Sequence, residues 1–299
     1  MNRALILGSS LLLILLCLAV IGPGLAPYAV DYEEKVYLDR SGQEDRYIIA
    51  PEPPSARHPF GSDPWGYDIL TILLYGARYT IFLCLGASAL RILVALACVW
   101  FWFPRAPLKM THATRSISAL PVFLFVYFIF FGINYNPPLS AQMMALLQGG
   151  IIALIGVPHA FSHFAELTAA TRENEFVEAA VISGATHTRI LFKHILPQIW
   201  ERIVIVFCQE SIAILNLIGQ LGIFNIFIGG TRTTPYPLMF HSRSHEWAGL
   251  VGTYRGKILS TEWWTLGFPL AGFSVLLFSL YIFTRGLERY FSQRYRRVG

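Results

Sequence analysis

The chain has 299 residues, of which 55% are hydrophobic and only 14% charged, against roughly 25% charged in an ordinary soluble domain. That balance excludes a single water-soluble core and places the chain among membrane proteins. The net charge of +5 does not mark a nucleic-acid binder, because the basic residues gather at the ends of apolar runs and form no aromatic-interleaved stripe.

The first apolar run, LILGSSLLLILLCLAVIGPGLAP, follows Arg3. It is longer than the ~7–15 residues of a signal-peptide core, which favours an uncleaved anchor. Leu16 stands before Cys17, where a lipoprotein signal needs a small residue. Further apolar runs lie at 80–104, 117–134, 139–162, 203–229 and 263–284. Each is near or above the ~17–20 residues that a helix needs to cross the hydrocarbon layer. A chain in lipid must satisfy its own backbone hydrogen bonds, so the expected fold is all-α and polytopic with six spans.

Flanking charge sets the expected orientation. Arg3 precedes the first span, Arg105, Lys109 and Arg115 lie between the second and third, and Arg285, Arg289, Arg294, Arg296 and Arg297 fall at or after the last. These ends are expected in the cytoplasm. The loop 28–75 carries nine acidic and four basic residues and suits the outer face. Loop 230–262 argues the other way, with Arg232, Arg243, Arg255 and Lys257, but long loops translocate regardless of charge. Trp263 and Trp264 are expected at the outer interface.

Four cysteines, Cys17, Cys84, Cys98 and Cys208, all lie in apolar runs and have neither zinc spacing nor a disulfide framework. GTYRGKIL at 252–259 is one residue short of a phosphate loop, lacks Ser or Thr after Lys257 and follows no strand, so no nucleotide site is assigned. Arg91 near the middle of the second span and Glu210 in the fifth are intramembrane charges, which are costly and usually paired or facing an aqueous path. They are candidates for the translocation path and for pairing with one another. His159 and His163 stand four apart with Glu166 nearby; with no third convincing ligand, no metal site is assigned.

Between the fourth and fifth runs, residues 175–197 read EFVEAAVISGATHTRILFKHILP. Thr171 is placed to cap a helix with Glu173 and Glu175 in its first turn. Phe176, Ala179, Ala180 and Ser183 recur at helical spacing and give a face that another protein can approach closely. Gly184 is placed to end that helix, a second short helix THTRILFKHI follows, and Pro197 suits the first turn of the next span.

EAAVISGATHTRILFKHILP resembles the EAA signature of the membrane subunits of ABC importers, and its flanks are similar to the branch that imports peptides and nickel. HPFGSDPWGYDILTILLYGARYT at 58–80 resembles the block that this branch carries ahead of its second span, and SHEWAGLV at 244–251 is a weaker echo before the last. The resemblance covers the chain from about residue 58. It implies a type I ABC importer permease fold, with an N-terminal helix and extracytoplasmic loop over 1–75 and the permease transmembrane domain over 76–299. The cytoplasmic coupling helices then lie near 171–196. It also implies that Glu178, Ala179, Ala180, Gly184 and Pro197 form the coupling segment, seated in a cytoplasmic ATPase subunit that binds ATP and Mg. The other implied partners are a second permease subunit, an extracytoplasmic substrate-binding protein and a peptide substrate. The chain itself is then not an enzyme and holds no cofactor, and it resides in a prokaryotic cell membrane with both termini cytoplasmic. Two departures, Tyr67 in place of the usual arginine and CVWFWFPRAP in place of a glycine-rich span end, imply an altered path lining. Nickel or another small solute is the alternative cargo. A stand-alone secondary transporter is the alternative class, though it leaves residues 175–197 without a role and usually shows an internal repeat.

Overall fold

The computed structural model describes residues 3–39, 46–102, 122–172, 174–235 and 238–298. In chain order these form helix α1 (Arg3–Leu25), hairpin strands β1 (Val36–Asp39) and β2 (Arg46–Ile49), and helices α2 (Ile69–Trp102), α3 (Val122–Phe131), α4 (Ala141–Ile155) and α5 (Val157–Arg172). Then come α6 (Glu175–Ile182), α7 (His187–Ile190), α8 (Leu196–Ile223), strands β3 (Thr231–Pro235) and β4 (Leu238–Ser242), and helices α9 (Trp247–Tyr254) and α10 (Trp264–Val298). The chain is helical and polytopic, as its composition implies. Among the described residues four helices are long and apolar enough to cross a membrane, and α4 with α5, bent by 43°, is a fifth if the pair counts as one broken span. The apolar α3 marks the run expected at 117–134; residues 117–121 lie outside the described set, as do Arg105, Lys109 and Arg115.

The crossings differ from the expected runs mainly at their ends. α2 begins at Ile69, not near 80, because Asp68 caps it: its Oδ2 accepts the N–H and the hydroxyl of Thr71 at 2.8 and 2.7 Å. Of the polar residues in these first turns, Thr71 and Thr80 are buried, and Tyr75, Arg78 and Tyr79 are half-buried. The last helix runs on to Val298, well past the apolar stretch.

Leu5 backs onto Gly286 and Gly8 onto Phe283, so α1 and α10 run antiparallel with both termini at one end. The start of α8 lies at that end too, with Trp200 edge-on to Phe291 at 5.6 Å between centroids. The opposite end gathers the loops 26–68, 132–140 and 224–263. There Trp264 Nε1 donates to the Ser62 carbonyl at 3.1 Å and the Tyr254 hydroxyl donates to Asp63 at 2.7 Å. Trp264 is therefore buried as a loop fastener, while Trp263 is exposed. The largest apolar core joins α1, α2, α8, α9 and α10 through Leu15, Ile72, Leu215, Trp247 and Leu276.

The block 58–68 folds into a knot against the start of α2. His58 Nδ1 lies 3.0 Å from Asp68, and Asp63 Oδ1 accepts the N–H groups of Trp65 and Tyr67 at 2.9 and 2.8 Å. The basic residues of the loop 230–262, awkward for an outer location by charge alone, are largely engaged in holding it. Arg243 donates to the Pro137 carbonyl, Arg255 to Asn225 and the Gly252 carbonyl, and Lys257 pairs with Glu262.

Candidate functional site: a membrane cavity and a terminal helical hairpin

α6 and α7 form a hairpin at the terminus-bearing end. The first helix starts at Glu175, not at Thr171. The Thr171 hydroxyl bonds back to the Leu167 carbonyl at 2.8 Å, so Thr171 continues α5 and caps nothing, and Glu173 lies outside the described residues. Gly184 ends the helix at φ +75°, with the Ala185 N–H bonded to the Ala180 carbonyl at 3.1 Å, the bond of a Schellman cap. Thr186 then caps α7, accepting the Arg189 N–H on its hydroxyl. α7 does not stop before the membrane helix. It passes through a π turn at Leu191–Ile195 into α8, and Thr188–Ile223 forms one run of 36 residues. Pro197 near the start of α8 has no N–H to offer the preceding turn, which accounts for the wider turn there.

The hairpin is held from within by Val177, Ile190, Leu191, Ile195 and Ile199, all buried. Ala179, Ser183 and Gly184 are exposed, Ala180 is half-buried, and Glu178 lies on the same short helix. Composition did not draw attention to Ile182, yet its side chain is 86% exposed at the tip, with Phe176 and Phe192 also exposed. An apolar tip bordered by alanine and glycine is the kind of exposed patch that marks contact with another protein or with a membrane.

Farther along the same helix, Glu210 meets Arg91. The Arg91 guanidinium donates to Glu210 through Nη1, to the Ile152 carbonyl through Nη2 at 2.7 Å and to the Ala153 carbonyl through Nε at 3.4 Å. Both charged side chains are about 95% buried. The Ile152 carbonyl loses its helical donor because the helix breaks: the Gly156 N–H turns back to Leu154, whose own helical donor would be Pro158, which has no N–H. A methyl built at Gly156 would fall inside the guanidinium, so only glycine lets Arg91 reach the break. The structure thus joins three crossings, α2, α4–α5 and α8, through one arginine.

Beside the pair lies a cavity of about 430 Å³, walled by α3, α5 and α8. Gln209, Ala213, Asn216 and Gln220 are exposed along one face of α8 and line it, a spacing of four, three and four that the sequence displays once the helix is known. His159 and His163 enter from α5, with His159 Nε2 3.9 Å from the second carboxylate oxygen of Glu210. Among the described residues no cluster of three or more His, Cys, Asp or Glu side chains could hold a metal ion. The arrangement offers hydrogen bonds and a neutralised ion pair to a polar solute inside an apolar layer.

Comparison with known proteins agrees with this architecture. Residues 113–297 match the family described as binding-protein-dependent transport system inner membrane component. The chain is similar to the dipeptide transport system permease protein of Bacillus subtilis, at 25% identity over 99% of this chain and 83% of that protein. It is also similar to the di/tripeptide transport system permease protein of Pseudomonas aeruginosa, at 24% identity over 89% and 79%. The glutathione transport system permease protein of Salmonella paratyphi A is 30% identical over 78% of this chain and 69% of its own length. A multi-pass helical fold with a polar cavity, matched by that family over most of its membrane-spanning part, identifies the chain as a member of the inner-membrane permease family of binding-protein-dependent, ABC-type importers.

Proposed function

We propose that the chain is one permease subunit of an ATP-driven importer of short peptides, acting with a second permease, cytoplasmic ATPase subunits and an extracytoplasmic substrate-binding protein. It sits in a prokaryotic cell membrane with both termini and the α6–α7 hairpin in the cytoplasm. One observation supports this reading above the others: the 36-residue run Thr188–Ile223 extends from the hairpin to Glu210 at the cavity. A displacement of the hairpin by a partner therefore reaches the cavity wall through a single helix, without an intervening loop to absorb it.

In this reading Glu178, Ala179, Ala180 and Gly184 seat the hairpin in the ATPase, with ATP and Mg held there and not in this chain. The exposed Ile182 supplies apolar area to that contact, and Pro197 fixes the start of the transmitting helix. Arg91 and Glu210 keep the bent crossing attached to it, while Asn216 and Gln220 present polar groups to the passing solute. Peptides are favoured as cargo by the names of the relatives and by a cavity lined with amides and imidazoles.

The test is to purify the tagged chain in mild detergent and identify what accompanies it, comparing wild type with Glu178→Arg. An ATPase and a second permease accompanying the wild type, with the ATPase lost from the variant, is the expected result. A wild-type chain that runs alone, even after crosslinking, would sink the complex and favour a stand-alone transporter.

A further inference from the structure

At the loop end, remote from the membrane cavity, lies a second recess of about 370 Å³, within the range of small-ligand sites. Its two walls come from different segments and carry opposite charge. The loop before α2 supplies Asp31, Glu33 and the buried Asp63, with Lys35 beside Glu33 at 3.8 Å on the exposed lip. The β3–β4 hairpin and the turn after it supply Arg232 and Arg243. Between the walls stand Trp65, Tyr67 and Tyr254, with His241 edge-on to Trp65 at 4.0 Å between centroids.

The deeper polar groups are bonded to one another. Asp63 takes two backbone N–H groups and the Tyr254 hydroxyl, and the Tyr67 hydroxyl bonds Glu33. Among the described residues lining the recess, the His241 Nε2 is the exception: it has no hydrogen-bond partner, and it is itself closed off from the recess. A single ion would complement one wall and oppose the other. A dipolar molecule a few ångströms long complements both, and aromatic faces between the charges suit its less polar middle.

We propose that this recess binds a short peptide in its zwitterionic form, the ammonium end toward Asp31 and Glu33 and the carboxylate end toward Arg232 and Arg243. The proposal rests on the peptide-import reading and adds to it an outer holding site within the permease itself. Tyr67 takes part by orienting the Glu33 carboxylate, which gives this departure from the family block a role in ligand choice.

The experiment uses the assembled membrane complex in lipid nanodiscs without its binding protein. The probes are radiolabelled dialanine and trialanine, together with their N-acetyl and C-amide forms. Arg232→Ala and Asp31→Asn are the test variants; both residues are exposed at the lip, so the fold does not depend on them. Saturable binding of the free peptides is expected, weakened about tenfold or more by either variant and by blocking either peptide end. No saturable binding, or binding indifferent to the variants and the caps, overturns the proposal. Absent binding with peptide transport intact in the full system removes the recess alone, whereas absent binding and absent peptide transport remove both readings. Loss of binding-protein capture in Arg232→Ala, with no peptide bound to wild type, makes the recess a protein-docking face and also overturns the proposal.

Discussion

Gly156→Ala is a substitution that simple propensity misjudges. In a helix, alanine is better than glycine by up to about 1 kcal/mol, and a stabilising change is the naive expectation. Here the added methyl overlaps the Arg91 guanidinium, which cannot swing aside without leaving Glu210 and the Ile152 and Ala153 carbonyls. Losing a partner from a buried ion pair costs about 3–5 kcal/mol, so the net effect is a destabilisation of that order. For a chain of this size it corresponds to a drop in Tm of roughly 10 °C. The assay is thermal unfolding of the purified protein in detergent, repeated in an Arg91→Met, Glu210→Met background. In that background the guanidinium is gone, and Gly156→Ala should become neutral or mildly stabilising, so the coupling appears in the double-mutant cycle. If Gly156→Ala is harmless in the wild type, or equally costly in both backgrounds, the arginine does not hold the bend. A charge swap between 91 and 210 is a poorer test, because a carboxylate at 91 would face two carbonyl oxygens.

Burial lowers the His245 pKa from 6.5 to about 4, with Asp31 opposing and His241 adding, and burial raises the Asp63 carboxyl from 3.8 to about 6, against the Tyr254 hydroxyl. The signs are opposite: His245 favours folding as pH rises from about 4 to 6.5, while Asp63 disfavours it as pH rises from about 4 to 6, each by about 3 kcal/mol at most. Relative to wild type, the Tm of His245→Asn should therefore fall more steeply with rising pH between about 4 and 6.5, and that of Asp63→Asn less steeply between about 4 and 6. Matching profiles for the two variants would contradict the assignment. Gly184→Val places a branched side chain at φ +75° in open space, so the cost is confined to the backbone, on the order of 1–2 kcal/mol. Expression and Tm should change little while ATPase-coupled transport falls sharply, and a proportional loss of both would make Gly184 merely structural. Trp264→Phe keeps the apolar contact but leaves the Ser62 carbonyl without its donor, an expected loss of about 1–2 kcal/mol read by unfolding.

The membrane class, the helical fold and most crossings could be read from runs of apolar residues, because lipid leaves a chain few alternatives. The end of α6 was legible too, since a glycine after a short amphipathic run has a local cause. The start of α2 was missed although its Asp68 cap is local, because its next polar groups, Thr80 and the Leu73 carbonyl, find their partner in Trp247, more than 150 residues distant in sequence. Arg91 and Glu210 were conspicuous by their cost in the membrane, but the carbonyls that complete the arginine's coordination required the break at Gly156 to be seen. The polar face of α8 was missed for a simpler reason: an average over the apolar run conceals amides that recur every three or four residues. The recess at the loop end had no local signal at all, as its acidic and basic walls are separated by most of the chain.

The loop knot at 58–68 closes on groups that the ribosome delivers last. Asp63 waits for Tyr254, 191 residues downstream, and the Ser62 carbonyl for Trp264, 202 residues downstream. Until α9 and the start of α10 have been made, this loop has its acceptors unmatched and its aromatic residues uncovered. Completion of the molecule is thus registered at one spot, and a chain truncated before α9 presents an open knot to a protease that reaches this end.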